Sequence, residues 1–133
     1  MDLVSVAPSV LITLLSLVVY IATIVNVGRA RHKFNVPVPQ ITGNPDFERV
    51  FRVQQNTLEN MIIFLPGLWI FTVVVNSEWA AILGSLWLVA RIIYAIGYSQ
   101  SVPKRAFGFI FSMLVNVVLV ISSFVGVLME LVK

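Results

Sequence analysis

VSVAPSVLITLLSLVVYIATIVNV, from Val4 to Val27, carries no charged residue and no proline after Pro8. A run of that length is enough to cross the roughly 30 Å hydrocarbon core of a bilayer as one helix. It is too long for the apolar region of a signal peptide, Asp2 rather than a basic group precedes it, and no small-residue cleavage motif follows. The stretch therefore reads as a retained transmembrane helix that stops at Gly28-Arg29-Ala30-Arg31-His32-Lys33. The remaining composition agrees. Of 133 residues, 59% are hydrophobic and only 11% charged, where a soluble domain carries about a quarter. Mean hydropathy is +0.96. The length excludes a large multidomain enzyme and leaves room for about four spans.

Working outward, Phe34 to Asn44 is a loop marked by Pro37, Pro39 and Gly43. Asn44-Pro45-Asp46 has the form of a helix start, with an Asn cap, Pro in the first turn, and Asp46 and Glu48 at the positive dipole end. The second helix is expected from Pro45 to Val75, on the order of 45 Å long, so its polar N-terminal end should project from the bilayer. Pro66 should kink it. Asn76-Ser77-Glu78 turns the chain into a third span from Trp79 to about Tyr98, and Gly97, Ser99, Ser101 and Pro103 mark the next turn. A fourth span follows from about Lys104 to Leu131. The fold class is thus an all-α, integral membrane four-helix bundle forming a single domain over residues 1–133.

Charge is sided. Arg29, Arg31, Lys33, Lys104 and Arg105 lie in two connections on one membrane face, joined by Arg49 and Arg52. Asp2, Glu78, Glu130 and Lys133 lie on the other. The positive-inside rule places the basic connections in the cytosol. The net charge of +3 is not gathered into a long basic run, so nucleic acid is not an expected partner. With no cysteine and one histidine, disulfides, a cysteine nucleophile and a transition-metal site are not expected. His32 sits between two cations and reads as solvated. No serine, histidine and carboxylate set in the spans suggests hydrolysis.

The informative residues are polar groups inside the spans. On the second helix Arg49, Arg52, Asn56, Glu59 and Asn60 fall within about a 100° arc, whereas Gln54 points nearly the other way. Arg91, Tyr94 and Tyr98 share a face of the third, and Arg105, Ser112 and Asn116 share one of the fourth. The plain alternative is mutual satisfaction, with Arg52 or Arg91 pairing Glu59 and the amides joining helices. Ionisable groups within a membrane are costly and usually functional. Three arginines against one glutamate leave surplus positive charge, which an anion would relieve. Arg105, expected in the first turn of the fourth helix, adds a cation to a helix N-terminus, a strong combination for an anion. Trp69, Trp79 and Trp87 read as lipid or helix packing.

Phe47-Glu48-Arg49-Val50-Phe51-Arg52-Val53-Gln54-Gln55-Asn56-Thr57-Leu58-Glu59 resembles the signature of the MAPEG family, the membrane-associated proteins of eicosanoid and glutathione metabolism. It is most similar to the microsomal glutathione transferase and leukotriene synthase branch. Ala90-Arg91-Ile92-Ile93-Tyr94-Ala95-Ile96-Gly97-Tyr98 matches that branch's second motif, and Arg105 falls at the spacing of its catalytic arginine. The resemblance covers the chain from about Ala30 onward. It implies a homotrimer with glutathione between protomers near the cytosolic face. Arg52, Asn56, Glu59, Asn60, Arg91, Tyr94 and Tyr98 would line the glutathione site, with Arg31 and Gln54 reaching it from the neighbouring protomer. Arg105 would stabilise the glutathione thiolate. The branch commonly has Tyr after the motif glutamate, where this chain has Asn60, which lacks a ring and a phenol.

The implied activity is conjugation of glutathione to a lipophilic electrophile drawn from the bilayer, with glutathione-dependent peroxidase activity as a possible companion. Glutathione serves as co-substrate and no metal is required. Two other classes stay open on the residues: a catalytically silent binder of lipophilic ligands, and a small proton-coupled exporter using Glu59. The arginines oppose a cationic-drug pathway electrostatically. The host membrane is a bacterial inner membrane or the endoplasmic reticulum.

Overall fold

The computed structural model describes residues 1–133. It contains α1 (Leu3–Phe34), α2 (Pro45–Val74), α3 (Ser77–Gln100), a short 3-10 turn (Val102–Arg105) and α4 (Ala106–Leu131). All four long helices are apolar enough to cross a membrane. Their starts follow local chemistry. The Asp2 carboxylate accepts from the Ser5 N–H at 2.8 Å, a bond that holds its pKa below the ordinary aspartate range. Asn44 accepts from Phe47 N–H at 3.0 Å and Asn76 from Trp79 N–H at 2.9 Å. Each side chain thereby satisfies one of the amide donors that a helix N-terminus leaves open.

Three boundaries differ from the sequence reading, the smallest at α3, which runs on to Gln100 and so keeps Gly97 and Ser99 inside the helix. α1 continues through the basic cluster to Phe34 and ends where Asn35 adopts a left-handed conformation, φ 55°. Arginine and lysine are good helix formers, and cations favour the negative end of the helix dipole. The charges thus change where α1 sits relative to the bilayer, not whether it is helical. At the other connection, Val102–Arg105 forms a 3-10 turn, so Arg105 stands at the position just before α4, without a capping bond, instead of lying inside its first turn. α2 runs through Pro66 without a break in helix.

α2 and α3 form the centre of the bundle. α1 packs against both from one side and α4 against both from the other. Phe64 of α2 and Trp87 of α3 stack with centroids 3.8 Å apart and planes 2° from parallel. Leu68, Ala80, Val115, Leu119 and Ile12 close around them, bringing all four helices into one core. Hydroxyl contacts fasten α1 to α2: Ser9 and Thr72 share a 2.7 Å bond, and Trp69 donates to Thr13 at 2.9 Å. A second cluster, Val27, Ala30, Val36 and Phe47, anchors the 35–44 loop at the basic end. Most remaining large apolar side chains face outward, as the helices of a membrane protein should. Trp79 is among these, whereas Trp87 is wholly buried.

Candidate functional site

The polar stripe of α2 divides on folding. Arg52 and Glu59 point outward, Asn56 is half-buried, and Asn60 is buried. Neither Arg52 nor Arg91 pairs with Glu59. The two ion pairs of the chain, Arg49 with Asp46 and Lys133 with Glu130, lie at the helix ends. Arg52 instead donates from Nη1 to Gln55 Oε1 at 3.1 Å.

Arg91 is fully buried and is held by neutral groups alone. Its Nη2 donates to Asn56 Oδ1 at 2.9 Å and Thr57 Oγ1 at 3.0 Å, and Nη1 to Ser112 Oγ at 3.3 Å. Its guanidinium carbon lies 4.0 Å from the Tyr94 ring centroid. Guanidinium offers only donors, so the Asn56 carbonyl must face it. The Asn56 NH2 is consequently turned outward, available to an acceptor such as a carboxylate. Thr57 was not singled out in the sequence. It lies on the α3-facing side of α2, about 60° beyond the polar arc, and only the buried cation on the facing helix gives it a role.

Asn60 belongs to the interior. Its Oδ1 accepts from Trp87 Nε1 and from Asn116 Nδ2, both at 2.7 Å. Its Nδ2 approaches Ser112 Oγ at 3.4 Å and Met113 Sδ at 3.5 Å. Indole nitrogen can only donate, which fixes the amide in this orientation. Asn60 therefore links α2, α3 and α4, and Ser112 connects it to Arg91. The resemblance grouped Asn60 with the residues lining the ligand site; the fold turns its amide inward.

Tyr98 and Arg105 form the outer half, and Tyr94, itself buried, joins them to Arg91. The tyrosine rings meet edge to face, 5.6 Å between centroids, and the Arg105 guanidinium carbon stands 5.7 Å from the Tyr98 ring centroid. Arg91, Tyr94, Tyr98 and Arg105 thus form a continuous sequence of cation and ring contacts from the interior to the surface. Two glycines set this geometry. A Cβ on Gly97 would stand 2.5 Å from the Lys104 carbonyl oxygen, and one on Gly108 would stand 2.5 Å from Ala90 O and 2.6 Å from Tyr94 N. Only residues without a side chain allow the 3-10 turn and the start of α4 to lie so close to α3.

Arg31 and Gln54 are not gathered into this cluster. Arg31 sits at the end of α1, on the opposite side of the α2–α3 pair from Arg105. Its Nη1 donates to Gln40 O at 2.5 Å, and its guanidinium carbon is 4.9 Å from the Phe47 ring centroid. It braces the loop within its own protomer. Gln54 is half-buried on another face of α2. Five clefts of about 340–550 Å³ on the protomer have no Arg52, Tyr98 or Arg105 in their walls. These residues occupy an open face carrying two exposed arginines and one exposed carboxylate, with a third cation buried beneath. Such a face can hold an anionic ligand that also carries a cationic group, and a second wall would enclose it.

The chain matches the model of the MAPEG family over residues 9–125. An uncharacterized protein of Synechocystis is 49% identical over 121 residues, covering 91% of this chain and 88% of that protein. Microsomal glutathione S-transferase 2 of Bos taurus is 40% identical over 102 residues, 77% of this chain and 70% of its own length. Leukotriene C4 synthase of the same species is 36% identical over 94 residues, 71% of this chain and 63% of its own.

Proposed function

This chain belongs to the MAPEG family, and from that membership we propose that it is an integral membrane glutathione S-transferase acting on lipophilic electrophiles. The open cationic face ending at Arg105 is the observation that carries the reading. Glutathione has two carboxylates, one ammonium and one thiol. Arg52 and the outward NH2 of Asn56 suit its carboxylates, and Glu59 suits its ammonium. Arg91 acts from beneath by orienting Asn56 and supporting Tyr94. In a homotrimer, Arg31 and Gln54 of an adjacent copy supply the second wall.

Arg105 stands where the sulfur is to react. A free thiol has a pKa of about 8.5, and an adjacent guanidinium favours the thiolate. The sulfur then attacks an electrophilic carbon arriving from the bilayer. A sulfur–carbon bond forms, and the displaced electron pair leaves with the leaving group or is protonated from water. Arg105 contributes thiolate stabilisation, and the enclosed site contributes orientation. The same thiolate can reduce a lipid hydroperoxide to the alcohol, a second glutathione completing the disulfide and releasing water. The basic connections face the cytosol, in a bacterial inner membrane or the endoplasmic reticulum, which gives glutathione its access.

The test is conjugation by detergent-purified protein with a small aromatic electrophile, following thiolate ultraviolet absorbance in the same sample. The chain has no cysteine, so a protein-dependent thiolate signal belongs to glutathione. Turnover accompanied by that signal supports the assignment. Folded protein with neither signal overturns it in favour of a silent lipophile binder. Proton-driven transport independent of glutathione would favour an exporter built on Glu59.

A further inference from the structure

On the side of α3 away from α4, two adjoining clefts of about 480 and 340 Å³ share Asn26, Val50 and Ser99. The outer cleft is rimmed by Arg29, Lys33 and Asp46. The inner one is floored by apolar groups, among them Val53 and Ile96. Asn26, Arg29 and Lys33 follow i, i+3, i+7 spacing and so present one face of α1. No residue of α4 takes part, and none of the residues assigned to glutathione lines either cleft.

The crevice is electropositive and crosses a boundary. Arg29 and Lys33 make no ion pair, while Asp46 is already engaged by Arg49. Counting these four groups leaves two positive charges in surplus. Ser99 Oγ donates to Ala95 O at 2.7 Å, which leaves its oxygen able to accept. Gln100 accepts from Lys104 Nζ through Oε1 at 2.9 Å, which leaves its NH2 free to donate. The long apolar run ends at Val27, so Asn26 and Arg29 straddle the membrane–water interface. Cations stand on the aqueous side of that line and an apolar floor on the other. No side-chain hydrogen bond joins α1 to α3.

We propose that this crevice binds the head group of an anionic phospholipid, its phosphate on Arg29 and Lys33 and its glycerol and upper acyl carbons on the Val53–Ile96 floor. Basic pockets between spans at the membrane surface suit such head groups, and each cation near that surface adds about fivefold to affinity. A head group there ties α1 to α3 where the chain provides no polar bond. The inference is independent of the glutathione reading, because it uses another side of the bundle.

The test titrates phosphatidylglycerol and phosphatidylcholine separately into detergent-purified protein. Bound lipid is counted by native mass spectrometry, and the thermal midpoint is followed in parallel. The wild-type chain is expected to retain phosphatidylglycerol in preference and to melt higher with it. The double variant Arg29→Gln, Lys33→Gln should bind it roughly thirtyfold more weakly. Lys133→Gln, which removes one charge at the opposite end, should behave as wild type. If the double variant fails to fold, Arg29→Gln alone should lose roughly fivefold while Arg29→Lys keeps the preference. Equal binding of both lipids by the wild type, or unchanged selectivity in the charge-removing variants, overturns the proposal. So does complete displacement of phosphatidylglycerol by excess inorganic phosphate that itself raises the midpoint, since the site would then read a free anion.

Discussion

Replacing Gly108 by alanine tests how closely Arg105, the proposed thiolate-stabilising residue, depends on one helix contact. The added Cβ would lie 2.5 Å from Ala90 O, 2.6 Å from Tyr94 N and 2.7 Å from Tyr94 Cβ, where ordinary contact begins at 3.4 Å. The shortfall is about 0.9 Å, and two of the three obstructing atoms are backbone, so α4 itself must move. Overpacking of this kind costs about 1–3 kcal/mol, which should lower the thermal midpoint by roughly 5–10 °C. Arg105 lies one turn before Gly108 and shifts with it relative to Tyr98. A misplacement near 1 Å at a reacting centre costs on the order of 100-fold in rate, so conjugation should fall by roughly 10- to 100-fold. Glutathione affinity, which the proposal assigns to Arg52 and Asn56 on α2, should change less than about threefold, since α2 need not move. Gly28→Ala is the control, because no atom stands within 4 Å of its Cβ position. Gly97→Ala should repeat the loss, as its Cβ would meet the Lys104 carbonyl oxygen at 2.5 Å. Melting curves, turnover and calorimetric binding on the same preparations decide the matter. Wild-type turnover and midpoint in Gly108→Ala would falsify the close α3–α4 contact as the device that places Arg105.

Three further outcomes follow from the geometry. Arg105→Ala should reduce conjugation by about 100- to 1000-fold while leaving glutathione bound. The absorbance titration of bound thiol should move up towards the free value of about 8.5; unchanged turnover would remove Arg105 from the reaction. Arg52→Ala should weaken glutathione binding by about 10- to 100-fold through loss of a charge-assisted bond, and unaltered affinity would take Arg52 out of the site. Asn60→Leu should strand the Trp87 indole N–H and the Asn116 amide, costing about 1–3 kcal/mol for each. A melt within a degree of wild type would show that this junction contributes nothing.

The helices were legible because each carries its signal in the chain: long uncharged runs, an Asn cap at Asn44 with Pro45 at the helix start, and a turn at Asn76-Ser77-Glu78. The end of α1 was not, because arginine and lysine mark the edge of a bilayer without breaking a helix. Spacing grouped the polar residues by helix face, but folding divided those groups: Asn60 turned inward from Arg52 and Glu59, and exposed Arg105 parted from buried Ser112 and Asn116. Spacing did not separate Arg52, which points outward, from Arg91, which is buried, because both are arginines on polar faces. That distinction depends on which face meets a neighbouring helix. Trp87 shows the same limit: apolar periodicity made it a packing residue, and its bond to Asn60 became visible only when α2 and α3 were brought together. Gly97 and Gly108 read as turn and helix residues in sequence, and their role as contact points required the opposing atoms of α3 and the turn.

The placement of α1 and α4 on opposite sides of the α2–α3 pair also bears on biosynthesis. A chain enters the bilayer from its N-terminus, and here each helix packs against one made immediately before it. α2 meets α1, α3 meets both, and α4 closes on α2 and α3. Arg91 is costly to insert, since an arginine within a span resists entry, by about 2.5–3.5 kcal/mol at a helix centre. Two of its acceptors, Asn56 and Thr57, belong to α2 and are already in the membrane when α3 arrives. Only Ser112 comes later. The chain thus delivers its buried arginine to partners synthesised ahead of it.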